Sequence, residues 1–239
     1  MSIRVLLVLM TSVLAGALLF APPADAAVIA FNTPTGATLG GQPVDAAVTF
    51  TTGAGTIHVT LQDLLVNPTD VGQLLSDLSF HIAGVTGNIT GTLSTSSGQE
   101  VTVAGNGSFT TGGSPSTGWL LTGGTGGTFL LNVLGTPTGP AHLIIGPPAP
   151  GSTFTNANGS IAGNGPHNPF IFEVASFDLS VPTVTAASSI DNVVFSFGTT
   201  PGANVPAAGT PVPEPGTLLL LGFGLAGVAG AVRWGRRRG

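Results

Sequence analysis

From Val28 to Gly198 the chain alternates apolar and polar residues in short runs, each broken after a few positions by Gly, Asn, Pro, Ser or Thr. A side-chain period of two suits a strand that buries one face and wets the other, and frequent turn residues keep such strands short. The alternation is clean in Ala47-Val48-Thr49-Phe50-Thr51 and in Thr56-Ile57-His58-Val59-Thr60-Leu61, where Ile57, Val59 and Leu61 share one face. Further strands are predicted near 79–83, 87–95, 99–104, 107–111, 117–122, 127–134, 141–145, 170–175, 177–181 and 192–197. Between two of them, Asn106-Gly107 suits a type I′ hairpin, whose central positions both need φ > 0. Gly123-Gly124-Thr125-Gly126-Gly127 reads as another hairpin turn, since it lacks the lysine of a phosphate loop. The fold class predicted is all-β, a β-sandwich of jelly-roll type.

One segment departs from the period of two. Val71, Leu74, Leu75 and Leu78 recur at helical spacing, after Asn67 as a cap and Pro68 at a first helical position. They predict a single short helix packed over a sheet, although Gly72 weakens it. Glycine at 37 and proline at 19 of 239 residues would point to disorder, but hydrophobic residues reach 42% and recur in the strand-like runs. The length between the two chain ends suits one domain with a buried core. With no cysteine in the chain, disulfides, thiolate nucleophiles and cysteine metal sites are excluded.

Charge is segregated. There is no lysine, and the five arginines are Arg4, Arg233, Arg236, Arg237 and Arg238. Between Ala27 and Pro211 lie eight acids (Asp45, Asp63, Asp70, Asp77, Glu100, Glu173, Asp178, Asp191) and no basic residue, a formal charge of −8 with histidine neutral. Phosphate contacts need Lys or Arg, so nucleic acid is excluded as a partner and anionic membrane surfaces are disfavoured.

Both ends read as targeting segments. Arg4, the apolar run Val5 to Phe20 and the small-residue site Ala24-Asp25-Ala26 describe a secretory signal peptide, residues 1–26, cleaved between Ala26 and Ala27. That leaves an ectodomain at 27–198, a Pro/Gly/Ala linker at 199–211 and a terminal segment at 212–239. Within the last, residues 216–234 would span about 28 Å as a helix, close to the hydrocarbon thickness of a bilayer. The basic residues Arg233, Arg236, Arg237 and Arg238 form a stop that stays cytoplasmic by the positive-inside rule, which places the ectodomain outside.

Val212-Pro213-Glu214-Pro215-Gly216, the run Leu218-Leu219-Leu220-Leu221-Gly222-Phe223-Gly224-Leu225-Ala226-Gly227 and the arginine cluster resemble the PEP-CTERM sorting domain. The resemblance implies recognition by an exosortase-type membrane cysteine protease in a Gram-negative bacterium that makes exopolysaccharide. It also implies removal of the C-terminal helix, with the ectodomain released or re-attached outside. Leu-Pro-x-Thr-Gly is absent, so a sortase is not implied. Residues 68–80 and 167–198 resemble uncharacterised ectodomains of other PEP-CTERM proteins, a likeness that brings no activity with it.

The ectodomain offers few chemical motifs. His58, His81, His142 and His167 fall in no HExxH or other i, i+4 pattern, and no G-x-S-x-G elbow is present. No catalytic, cofactor or metal residues are assigned, and no enzymatic activity is expected. Calcium is the one cofactor candidate: carboxylates and loop amides at Asp191-Asn192 and between Asn156 and Asn168 supply oxygen ligands, but the D-x-[DN]-x-[DN]-G loop is absent. The expectation is an exported surface or matrix protein with a structural or adhesive role among exopolysaccharides. The alternatives are a glycan-binding module and, further off, an exported hydrolase. Trp119 discriminates between them. On an exposed concave face it would serve as a glycan platform, in the core it marks a structural module, and a cleft with two carboxyl groups about 5 to 9 Å apart would mark a hydrolase.

Overall fold

The protein is described by a computed structural model covering residues 26–134, 142–151, 153–157 and 159–208. The first strands in the chain are β1 (Ala27–Asn32), the small hairpin β2 (Thr38–Leu39) and β3 (Gln42–Pro43), β4 (Ala46–Gly53), β5 (Thr56–Asp63) and β6 (Leu75–Ile82). They are followed by β7 (Thr92–Val103), β8 (Phe109–Thr111), β9 (Leu120–Gly123), β10 (Thr128–Asn132) and β11 (Ile144–Ile145). The last are β12 (Phe170–Ser180), β13 (Ile190–Phe197) and β14 (Asn204–Pro206).

Two layers result. The front sheet runs β1-β4-β5-β12-β7-β8, all antiparallel. The back sheet runs β9-β10-β6-β13-β14, also antiparallel. Strand β11 joins them, pairing parallel to β12 and antiparallel to β6, so the hydrogen-bonded network is continuous and mixed. The alternation seen in the sequence sorts side chains between the layers. Val48 and Phe50 of β4, Ile57, Val59 and Leu61 of β5, and Phe177 and Leu179 of β12 turn inward, as do Leu78, Phe80, Phe129 and Phe195 of the back sheet. The two layers meet where the Phe50 and Phe80 rings lie 5.1 Å apart between centroids, and Phe80 stacks on Phe129 at 5.8 Å. All of these residues belong to one hydrophobic cluster, whose burial is the main stabilising contribution of a cysteine-free domain.

The all-β expectation holds, and four details differ. The expected helix is absent: Val71–Gln73 forms a single 3-10 turn, and Leu75 and Leu78 belong to the central strand β6. The turn is capped by Asp70, whose carboxylate accepts from Gly72 N at 2.8 Å, while Gln73 Oε1 accepts from Asp70 N at 3.0 Å. Asn67, expected as the cap, sits at φ 55° and binds Thr155 instead. Helical spacing lost because β6 pairs with β10 and β11 along one edge and β13 along the other, and these ladders outweigh a weak local propensity.

The Asn106-Gly107 turn is not type I′, because Gly107 alone of the two has positive φ (82°). Gly107 N donates to Ala104 O at 2.8 Å and Ala104 N to Ser108 O at 2.8 Å, a type I turn closed by a glycine bulge. The glycine is needed twice, since a Cβ there would lie 2.0 Å from Phe154 O. The expected strand pairs 87–95 with 99–104, and 170–175 with 177–181, are the continuous strands β7 and β12; a register shift between Ile171 and Ala175 holds Glu173 at φ 61°. Finally, the segment expected as linker begins inside the domain: β14 pairs with β13, and Ala208 bridges to Asn32 of β1.

Candidate functional site

The residues assigned to sorting (Val212, Pro213, Glu214, Pro215), the basic stop (Arg233, Arg236, Arg237, Arg238) and Ala24 of the signal site lie outside the described residues. Ala26 is exposed, and Ala27 opens β1, its N–H donating to Ala186 O at 3.2 Å. Among the described residues no helix is long and apolar enough to cross a membrane.

The outer face of the front sheet is one candidate surface. Because β1, β4, β5, β12 and β7 run in register, their outward residues line up in rows. One row reads Val28, Thr51, His58, Asp178, Thr95; the next reads Ala30, Thr49, Thr60, Ser176, Ser97; a third carries Thr56, Ser180 and Thr92. Neighbouring rows are two residues apart along each strand, roughly 6.7 Å, except that a register shift in the β12–β7 pairing puts Thr92 three residues from Thr95; neighbouring strands lie roughly 4.8 Å apart, so hydroxyls recur on a regular lattice. The lattice holds a single acid, engaged on both oxygens: His58 Nδ1 lies 2.7 Å from Asp178 Oδ1, and Thr95 Oγ1 donates to Oδ2 at 2.6 Å. The Thr95 bond, then His58, holds the Asp178 carboxyl below its usual range.

Histidines are the sole cationic side chains available between residues 26 and 208, and His58, His81 and His142 meet acids. Besides His58, His81 Nδ1 lies 2.5 Å from Asp191 Oδ1, with Nε2 donating to Val85 O at 2.9 Å. The Val85 carbonyl, then Asp191, raises the His81 pKa above the usual imidazole value. His142 is buried, its Nδ1 donating to Pro169 O at 2.6 Å and its Nε2 lying 3.4 Å from Glu100 Oε1. Asp191, expected among the calcium ligands, is thus bound to His81, and Asn168 spans the backbone N–H and C=O of Val103 at 3.1 and 2.9 Å. Among the described residues no three acids or histidines converge on a metal position.

Trp119 is in the core, 2% exposed, packed on Phe177 at 5.2 Å and donating through Nε1 to His142 O at 2.8 Å. It forms no glycan platform. Buried Thr117 accepts from Trp119 N through Oγ1 at 3.3 Å, a contact the sequence does not signal, and two aspartates not singled out from the sequence are buried as well. Asp63 ends β5 fully buried, so desolvation drives its pKa well above the carboxylate norm, although Leu65 N donates to Oδ1 at 3.0 Å. Asp77 of β6 is 6% exposed, and burial raises its pKa to about 6 against the backbone N–H groups of Val133 and Leu134. It lies in a groove of about 600 Å³ on the outer face of the back sheet, between β9, β10, β6, β13 and the turn before β14. No second carboxylate lines that groove among the described residues. Period-two alternation already places Asp63 on the inner face with Ile57, Val59 and Leu61; the missed signal was that an acid sat there at all.

Residues 211–238 match a family model described as the PEP-CTERM protein-sorting motif. No curated protein and no solved structure matches the chain. The match shows an exosortase substrate, exported and sorted to the cell surface, and it covers 28 of 239 residues, so it speaks for the tail and not for the sandwich.

Proposed function

We propose that this chain is a non-enzymatic surface or matrix protein of a Gram-negative bacterium, in which the β-sandwich adheres to neutral extracellular polysaccharide. The hydroxyl lattice on the front sheet carries the reading. Thr49, Thr60, Ser176 and Ser97 form one unbroken cross-strand row of donors and acceptors, with Thr51 and Thr95 in the row beside it. A periodic array of neutral hydrogen-bonding groups complements an extended polyol chain, whose own hydroxyls repeat along its length. Each such bond is worth only about 0.5–1.5 kcal/mol net, so useful adhesion comes from many at once. The lattice is rigid because its strands are central in a six-stranded sheet, which limits the entropy lost on binding. The absence of Lys and Arg from residues 27–211 makes polyanionic polysaccharides poor partners.

The test is co-sedimentation of the full chain, in an uncharged detergent, with an insoluble neutral polysaccharide. Wild-type protein is expected in the pellet, and Thr49→Val/Thr60→Val/Ser176→Ala, with unchanged melting, is expected to remain at least tenfold more in the supernatant. Equal partitioning of the two proteins refutes the front-face reading.

A further inference from the structure

The groove on the back sheet is a second, chemically different surface, and it does not rest on the front-face reading. Its floor has two rows set by strand register. Asp77 of β6 faces Ser196 of β13, which faces Asn204 of β14; beside them Leu130 of β10 faces Ser79 of β6, which faces Val194 of β13. One row is polar throughout, and the other presents two aliphatic side chains. Ser196 Oγ donates to Asn204 Oδ1 at 2.6 Å, which fixes the amide at the groove wall. The volume of about 600 Å³ falls within the range of small-molecule sites.

The Asp77 carboxylate is the feature that selects a ligand. It is nearly out of contact with water, yet residues 26–208 contain no Lys or Arg to offset it. The neighbouring imidazole on the same face of β6, His81, is bound at both ring nitrogens by Asp191 and Val85 O. Strands β10 and β14 and the turn at 199–203 bring no titratable side chain to it, and β13 brings Asp191 to His81. A desolvated carboxylate without a cation is costly, and a cationic ligand offsets that cost through a charge-assisted hydrogen bond.

We propose that this groove binds an amino sugar, with its protonated amine on the Asp77 carboxylate, its hydroxyls on Ser196 and Asn204, and the C–H face of its ring on Leu130 and Val194. The polar row meets the hydroxyl-bearing edge of a pyranose and the aliphatic side chains meet one C–H face, while the carboxylate matches the ammonium. Because burial raises the Asp77 pKa to about 6, the ammonium competes with a proton there, and binding weakens on acidification.

Saturation-transfer NMR on the full chain, in a polyoxyethylene detergent free of sugar headgroups, tests this with glucosamine, N-acetylglucosamine and glucose at matched ionic strength. At pH 7.5 glucosamine is expected to bind at least tenfold more tightly than the other two, and at least fivefold more weakly at pH 5. Asp77→Asn should abolish the preference, and Asn204→Ala, which leaves the carboxylate in place, should weaken all binding severalfold. Equal response to the three sugars, a preference that survives Asp77→Asn, or no response to any of them overturns the proposal. Loss of polysaccharide co-sedimentation in the front-face variant, with glucosamine binding retained, separates the two surfaces.

Discussion

Asp77→Asn should stabilise the protein at neutral pH, against the usual outcome for a buried polar substitution. The folded carboxyl has a pKa of about 6 where an unfolded one has 3.8, so the folded state binds more protons between those values. Stability therefore falls as pH rises through that window, and the loss is complete above it. The full shift of about 2.2 units corresponds to an upper limit of about 3 kcal/mol. The carboxylate keeps 6% exposure and two backbone hydrogen bonds, and relaxation around the charge reduces the expected figure to about 1.5 kcal/mol. Asparagine keeps an acceptor for the backbone N–H groups of Val133 and Leu134 and mimics the protonated acid. For a domain of this size the gain amounts to about 3–6 °C in Tm at pH 7.5, shrinking to under about 1 °C at pH 3.5. Thermal melts of both proteins across pH 3.5 to 8 check this. A gap that does not depend on pH, or a variant less stable at pH 7.5, would refute desolvation as the dominant influence on Asp77.

His81 is shifted in the same direction, but by favourable partners rather than by burial, so its substitution should destabilise. Its folded pKa is raised, so its contribution is fully present below the unfolded imidazole value of 6.5 and is lost as pH rises through the folded one; His81→Gln should lower Tm more at pH 5.5 than at pH 8.5, as paired melts would reveal. Gly107→Ala places a Cβ 2.0 Å from Phe154 O at φ 82° and should cost about 3 kcal/mol, read by urea unfolding. Glu214→Ala in the matched sorting motif should block processing while leaving membrane insertion intact, so an unchanged ratio of released to membrane-bound protein would count against that glutamate's role.

Much of the sandwich was legible locally. Ile57, Val59 and Leu61 all reach the core because a period of two dictates which face each residue takes, whatever strand lies beside it. The misread segment at 71–78 shows the limit of such reasoning: four leucine and valine positions fit a helix equally well, and the decision fell to the hydrogen-bonding edges offered by β10, β11 and β13. The turn at Asn106-Gly107 was placed correctly but typed wrongly, because its geometry depends on the Phe154 backbone packing against it from 47 residues away.

The sequence by itself determined the β-class, the tail that sends the protein to an exosortase, and the absence of Lys and Arg from the sandwich, since each is a matter of composition or of neighbours along the chain. Tertiary structure decided which groups meet. His58 finds Asp178 across 120 residues and His81 finds Asp191 across 110, and Asp77 joins Ser196 and Asn204 in one row. These pairings follow from strand order and register. A one-residue slip in either would turn every one of these side chains to the opposite face, and the local pattern of the chain does not encode which distant strand arrives alongside.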